Sequence, residues 1–78
     1  MEQLKFIPKT RSEKIDELMH RLGCFEQQEF ARLVGVSPAT VSFWRNNNRK
    51  PSVEDMSRIA RLTGLPLEKI YETFDITA

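Results

Sequence analysis

The sequence predicts an all-α domain of five short helices. Apolar residues recur at helical spacing in the segments between turn signals. Most of those segments open on a capping residue or close on glycine. No stretch alternates convincingly enough to demand a strand. With 78 residues the chain is one small domain, and a domain of this size buries only roughly 60% of its unfolded surface. At 40% hydrophobic residues it is ordinary for a globular protein and too apolar for a disordered one.

Residues 1–9 read as an arm, because Pro8 discourages a helix through them. Leu4, Phe6 and Ile7 in that arm either cover the core of the body or pair with a partner chain. Residues 10–78 form the domain. The first helix spans Arg11 to Leu22. Thr10 and Glu13 have the spacing of a capping box. Ile15, Leu18, Met19 and Leu22 fall on one stripe, and Gly23 suits the left-handed position past the end. The second helix runs from Gln27 to Val34, with Phe30, Leu33 and Val34 as apolar contacts and Ala31 small enough for a close crossing. Gly35 turns the chain. Ser37 then caps a third helix with Pro38 as its first residue, ending near Asn46 or Asn47. Ser52 caps a fourth, carrying Val53, Met56, Ile59, Ala60 and Leu62 to a stop at Gly64. The fifth covers Leu67 to Phe74, with Leu67, Ile70, Tyr71 and Phe74 at helical spacing.

The run from 25 to 51, FEQQEFARLVGVSPATVSFWRNNNRKP, is the most informative part. Two short helices around a tight turn, followed by a basic, Asn-rich loop, have the layout that places one helix in the DNA major groove. Overall charge is uninformative, with 12 Lys and Arg against 11 Asp and Glu. Its distribution is not. From Phe30 to Val53 there is no acidic residue, whereas Arg32, Arg45, Arg49 and Lys50 are cationic. That is either a positive field for nucleic acid or a solvated basic loop.

At 100° per residue, Val41 and Trp44 share the side of the third helix that anchors it. The opposite side carries Ala39, Ser42, Phe43 and Asn46, flanked by Pro38, Thr40 and Arg45. Pro38, Ala39, Thr40, Ser42 and Phe43 are the expected base-facing residues. Ala39 and Phe43 cannot hydrogen-bond a base but can touch thymine methyl groups, and Ser42 and Thr40 can reach base edges or phosphates. Without an outward Arg or Gln for bidentate readout, direct readout should be limited and DNA shape should supply some selectivity. The alternative for Phe43 is packing on a partner or a neighbouring helix; for Trp44 core packing is the preferred reading.

Other function classes find little support. One cysteine, Cys24, permits no intrachain disulfide and fits a reducing compartment. One Cys and one His are too few for a zinc site. His20 lies on the polar side of the first helix near Asp16, with no second histidine and no nucleophile arrangement, so neither an enzyme nor a cofactor is expected. No apolar run approaches a membrane span and the N-terminus does not read as a signal peptide. A cytoplasmic, nucleoid-associated protein is therefore the expectation.

Five segments taken in order resemble the Cro and λ-type phage repressor (XRE) family of helix-turn-helix proteins: Gln27-Gln28-Glu29-Phe30-Ala31, Gly35-Val36-Ser37, Thr40-Val41-Ser42, Arg49-Lys50-Pro51-Ser52 and Leu62-Thr63-Gly64-Leu65-Pro66-Leu67. Each is weak alone, but their order and spacing are fairly specific, and the match covers about residues 12 to 74. The resemblance implies a compact five-helix, λ-repressor-like DNA-binding domain with its helix-turn-helix at the second and third helices. It implies that Gln27 contacts a phosphate, aided by its backbone N–H, and that Asn46, Asn48, Arg49 and Lys50 hold the DNA backbone, with Arg45 adding positive charge beside them. Three positions depart from the pattern. Glu26 replaces a capping Thr or Ser, which suits the helix dipole but would repel a nearby phosphate. Arg45 replaces a Glu. Asn47 replaces a Gly, and asparagine tolerates the left-handed turn.

The leading expectation is a sequence-specific regulator of transcription, a repressor that binds a double-stranded operator as a homodimer. Leu65, Leu67, Ile70, Phe74 and Ile76, or the arm, are the candidate dimer surface, with core packing as the alternative for the fifth-helix residues. The competing expectation is a protein-interaction module: an antitoxin of a toxin pair, or a helix-turn-helix that has lost DNA binding. Its contacts with a protein partner would be Phe43 and the apolar residues of the arm.

Overall fold

A computed structural model describes residues 9–76 of the chain. The expected contacts of Leu4, Phe6 and Ile7 lie outside the described residues. The elements in order are α1 (Arg11–Arg21), α2 (Gln27–Val34), α3 (Pro38–Arg45), α4 (Val53–Thr63) and α5 (Leu67–Thr73), and no strand occurs among the described residues. The α1 helix packs against α3 and α5, α2 against α3 and α4, and α4 against α5.

Local chemistry sets the helix boundaries. Thr10 Oγ1 accepts from the Glu13 N–H at 3.1 Å, and Glu13 Oε1 accepts from the Thr10 N–H at 2.9 Å, completing the capping box that opens α1. Ser52 and Asp55 build the same device at α4. At α2 Glu29 Oε1 accepts from the Phe25 and Glu26 N–H groups, so donors ahead of the helix find an acceptor without a Ser or Thr cap. Ser37 Oγ accepts from Thr40 N–H at 3.1 Å, with Pro38 as the first residue of α3. Leu22 and Phe74, expected as last residues of α1 and α5, serve instead as their C-caps.

The core gathers Ile15, Leu18 and Met19 of α1, Phe30, Ala31 and Val34 of α2, Val41 and Trp44 of α3, Met56 and Ile59 of α4, Ile70 of α5, and Phe74 just beyond it. Trp44 is fully buried and meets Phe74 edge to face, with ring centroids 5.6 Å apart and planes at 76°. Truncating an aromatic at such a site costs about 3–5 kcal/mol.

The expected apolar contact of Leu33 is corrected, and Leu62 and Val53 of α4 are exposed as well. Leu33 is 46% exposed, Leu62 39% and Val53 64%. The buried arc of α2 is Phe30, Ala31 and Val34, and Leu33 falls about 100° from its centre. Leu62 lies outside the arc of Met56, Ile59 and Thr63 in the same way, and Val53 starts α4 at its exposed end. Among the candidate dimer residues, Ile70 and Phe74 are completely buried within the domain. Leu65, Leu67 and Ile76 are half-buried against the core.

Candidate nucleic-acid interface

The α2–α3 turn depends on Gly35. Its φ of +88° is in the left-handed region, and a Cβ there would stand 3.1 Å from Arg58 Nη1. The same guanidinium donates to the Val34 carbonyl at 2.6 Å, so an arginine of α4 satisfies the end of α2. Val36 N–H returns to Ala31 O at 2.9 Å, and Ser37 then begins α3.

The α3 helix shows the two expected sides. Val41 and Trp44 are buried; Pro38, Ala39, Phe43 and Asn46 are exposed, and Thr40 and Ser42 half-buried. Polar groups along the face are linked among themselves. Gln27 Nε2 donates to the Pro38 carbonyl at 3.0 Å and to Ser42 Oγ at 2.8 Å. Its Oε1 accepts from Arg45 Nε at 2.6 Å. Thr40 Oγ1 and Ser37 Oγ are 3.0 Å apart.

Arg45 and the Gln27 side chain, both expected as phosphate contacts, are engaged by partners within the domain. Arg45 Nη1 donates to Ser12 O at 3.1 Å and Ser12 Oγ at 2.7 Å, and Nη2 to Asp16 Oδ1 at 2.7 Å. Its side chain is turned onto α1 and bridges α1, α2 and α3. With both Nε2 hydrogens and Oε1 engaged, the Gln27 amide is a joint between α2 and α3. The Gln27 and Gln28 backbone amides, first in α2, have no intrahelical acceptor.

Beyond α3 the chain makes a Schellman turn. Asn47 N–H donates to Trp44 O at 3.3 Å and Asn48 N–H to Phe43 O at 3.0 Å. Asn47 has φ +63°, so it holds the left-handed position without a glycine. The turn leaves Asn46, Asn48, Arg49 and Lys50 exposed, while Pro51 is buried and pins the far end of the loop. Arg49 and Lys50 form no ion pair among the described residues. The Arg49 guanidinium lies over the Phe43 ring, 5.0 Å from its centroid. Arg32, the remaining cation of the acid-free stretch, lines a small cleft with Leu22, Cys24, Glu29 and Leu33 at the α1–α2 turn. Burial, reinforced by Glu29, pushes the Cys24 thiol up, which keeps it protonated near neutral pH.

Sequence reasoning missed the bracing arginines. Arg11 is buried and donates through Nη2 to the Phe74 carbonyl at 2.7 Å and to Asp75 Oδ2 at 3.4 Å, and through Nη1 to the Trp44 carbonyl at 3.4 Å. It thereby ties α1 to the C-terminal ends of α3 and α5. Partners that far apart in sequence leave no local signal. Arg45 carried one trace, its place where the resemblance expects Glu.

One helix anchored on its inner side and followed by an exposed basic loop defines the class: a helix-turn-helix domain. Residues 25–70, more than half of the chain, match the family described as Helix-turn-helix, and the chain belongs to that family, in its Cro and λ-repressor-like (XRE) branch. It is similar to an uncharacterized HTH-type transcriptional regulator of Haemophilus influenzae, 36% identical over 56 residues, which cover 72% of this chain and 23% of that protein. The matched stretch thus spans about a quarter of the relative's length. No solved structure matches the chain significantly. Among the described residues no helix is long and apolar enough to cross a membrane, and no cluster of His, Cys, Asp and Glu could hold a metal ion.

Proposed function

We propose that the chain is a sequence-specific, double-stranded DNA-binding regulator of transcription that acts as a repressor in the cytoplasm. In this reading α3 enters the major groove with Pro38, Ala39, Thr40, Ser42 and Phe43 toward the bases. Asn46, Asn48, Arg49 and Lys50 contact phosphates of the flanking backbone. The carrying observation is the loop after α3: its exposed Arg49 and Lys50 have no acidic partner among the described residues and adjoin the outer face of a helix whose inner face is fixed in the core. Arg45 and the Gln27 amide orient α3 rather than touch DNA. Two copies on adjacent half-sites, about 34 Å apart, give the affinity that one small module lacks.

Binding to random-sequence duplex DNA across a salt series, followed by selection of the tightest binders, tests the proposal. The expected result is affinity that falls steeply with salt and an enriched, two-fold symmetric site. Absence of binding at low salt would overturn it and favour a protein-interaction module, for which the 87% exposed Phe25 beside α2 is a ready contact.

A further inference from the structure

Resting on the reading of α3 as the base-facing helix, we propose that its outer face discriminates bases by their C5-methyl groups, with Phe43 as the principal specificity-determining residue and Ala39 beside it. The polar groups that could read hydrogen-bonding edges are already joined to one another. Gln27 Nε2 donates both to Ser42 Oγ and to the Pro38 carbonyl, and Gln27 Oε1 receives Arg45 Nε. Thr40 and Ser37 share a hydroxyl contact, and the Arg45 guanidinium faces α1. Asn46 stands at the C-cap, past the last residue of the helix. The exposed side chains within the helix are the Pro38 ring at its first position, the Ala39 methyl and the Phe43 ring, whereas Thr40 and Ser42 are half-buried and keep at most a hydroxyl hydrogen each for a base edge.

Phe43 is suited to this use. Its ring is 40% exposed on a face where water gives it no stabilisation. The Arg49 guanidinium covers one face of the ring at 5.0 Å. That stacking also sets the apolar probe directly beside a cation whose charge suits a phosphate, so duplex DNA is the occupant that complements both. In the major groove the apolar feature of a base pair is the C5-methyl of thymine, and 5-methylcytosine presents the same group at the same place. An operator read this way contains a thymine opposite Phe43 in each half-site and treats 5-methylcytosine there as an acceptable substitute.

The test uses the full chain and the duplex enriched by selection, resynthesised with each thymine replaced in turn by deoxyuridine, which removes only the methyl. One apolar methyl withdrawn from contact weakens binding about fourfold, so replacement in both half-sites weakens it about 15-fold. Phe43→Ala should bind the thymine and deoxyuridine duplexes equally while keeping the salt slope, and Phe43→Leu should keep part of the discrimination. At the sensitive position 5-methylcytosine should bind better than cytosine. The inference is overturned if the enriched site carries no thymine, or if every deoxyuridine duplex binds like the parent while the sequence preference persists; the DNA-binding reading survives both results. Failure to bind any duplex at low salt overturns both. Should Phe43→Ala fail to fold, the deoxyuridine series on the unaltered chain decides alone.

Discussion

Arg45 and Arg49 stand on either side of the cap that ends α3, and they have opposite environments. Arg45 is drawn inward, where Ser12, Asp16 and Gln27 take its donors. Arg49 lies in the exposed loop, stacked on Phe43 and without an acidic partner among the described residues. The first belongs to a braced region: Arg11 and Arg58 satisfy carbonyls at the ends of α2, α3 and α5, and Arg45 satisfies a carbonyl in the first turn of α1. The second belongs to an open region of unpaired charge and exposed side chains. Positive charge in the sequence is therefore a poor guide to the contact surface. Some of the cations nearest α3 hold the scaffold, and in the proposed reading only those with no internal acceptor remain for a polyanion.

The largest effect should come from breaking the braced region at its apolar base. Ile70 is fully buried, so Ile70→Asp places an unpaired carboxylate among apolar side chains. The cost is several kcal/mol, comparable with the whole stability of a domain this small, roughly 4–12 kcal/mol. The variant should lose its helical circular dichroism near neutral pH. A folded monomer would instead return Ile70 to the dimer surface.

The next prediction separates the two arginines directly. Arg45→Ala removes hydrogen bonds to Ser12 and Gln27 together with a partly exposed ion pair to Asp16, and should lower unfolding free energy by about 1–2 kcal/mol. Because its guanidinium is turned onto α1, the salt slope of DNA binding should stay unchanged. A flatter slope in a fully folded Arg45→Ala chain would show that Arg45 swings outward on DNA.

Arg49→Ala should behave in the reverse way. Urea denaturation should move by less than about 0.5 kcal/mol, as for exposed positions generally. Binding should weaken on all DNA sequences, with a salt slope shallower by about one unit. If Arg49→Ala changes the preferred sequence, its stacking on Phe43 contributes to readout and the division between scaffold and contact is less sharp.

The same division explains what was legible in the sequence. Caps and stops are written locally: Thr10 with Glu13, Ser37 before Pro38, Ser52 with Asp55, and Gly35 each define a boundary within a few residues. The anchored side of α3 was legible too, because Val41 and Trp44 follow helical geometry. The fates of Arg11, Arg45 and Arg58 were not, since each acceptor lies on a segment remote in sequence and is placed only when the core forms. Leu33, expected as an apolar contact of α2, is exposed because apolar spacing fixes a direction around a helix but not the width of the neighbour that covers it.

Acid sensitivity provides the mildest test of the braced region. The Lys14 ammonium, hydrogen-bonded to Asp75 Oδ1 at 3.0 Å, and the nearby Arg11 guanidinium hold the Asp75 carboxyl below its ordinary value of 3.8. A group whose pKa is lower in the folded chain binds its proton more readily when unfolded. Its contribution is therefore fully present above the unfolded value and is lost as pH falls through the folded one. Because Asp75 is half exposed, screening by water keeps the effect small. Urea midpoints should decline as pH drops below about 4, and the decline should be shallower in Asp75→Asn, which keeps the shape of the side chain without its charge. Identical acid profiles for the two proteins would mean that Lys14 and Arg11 hold the end of α5 through the Glu72 and Phe74 carbonyls alone, the contacts that do not titrate.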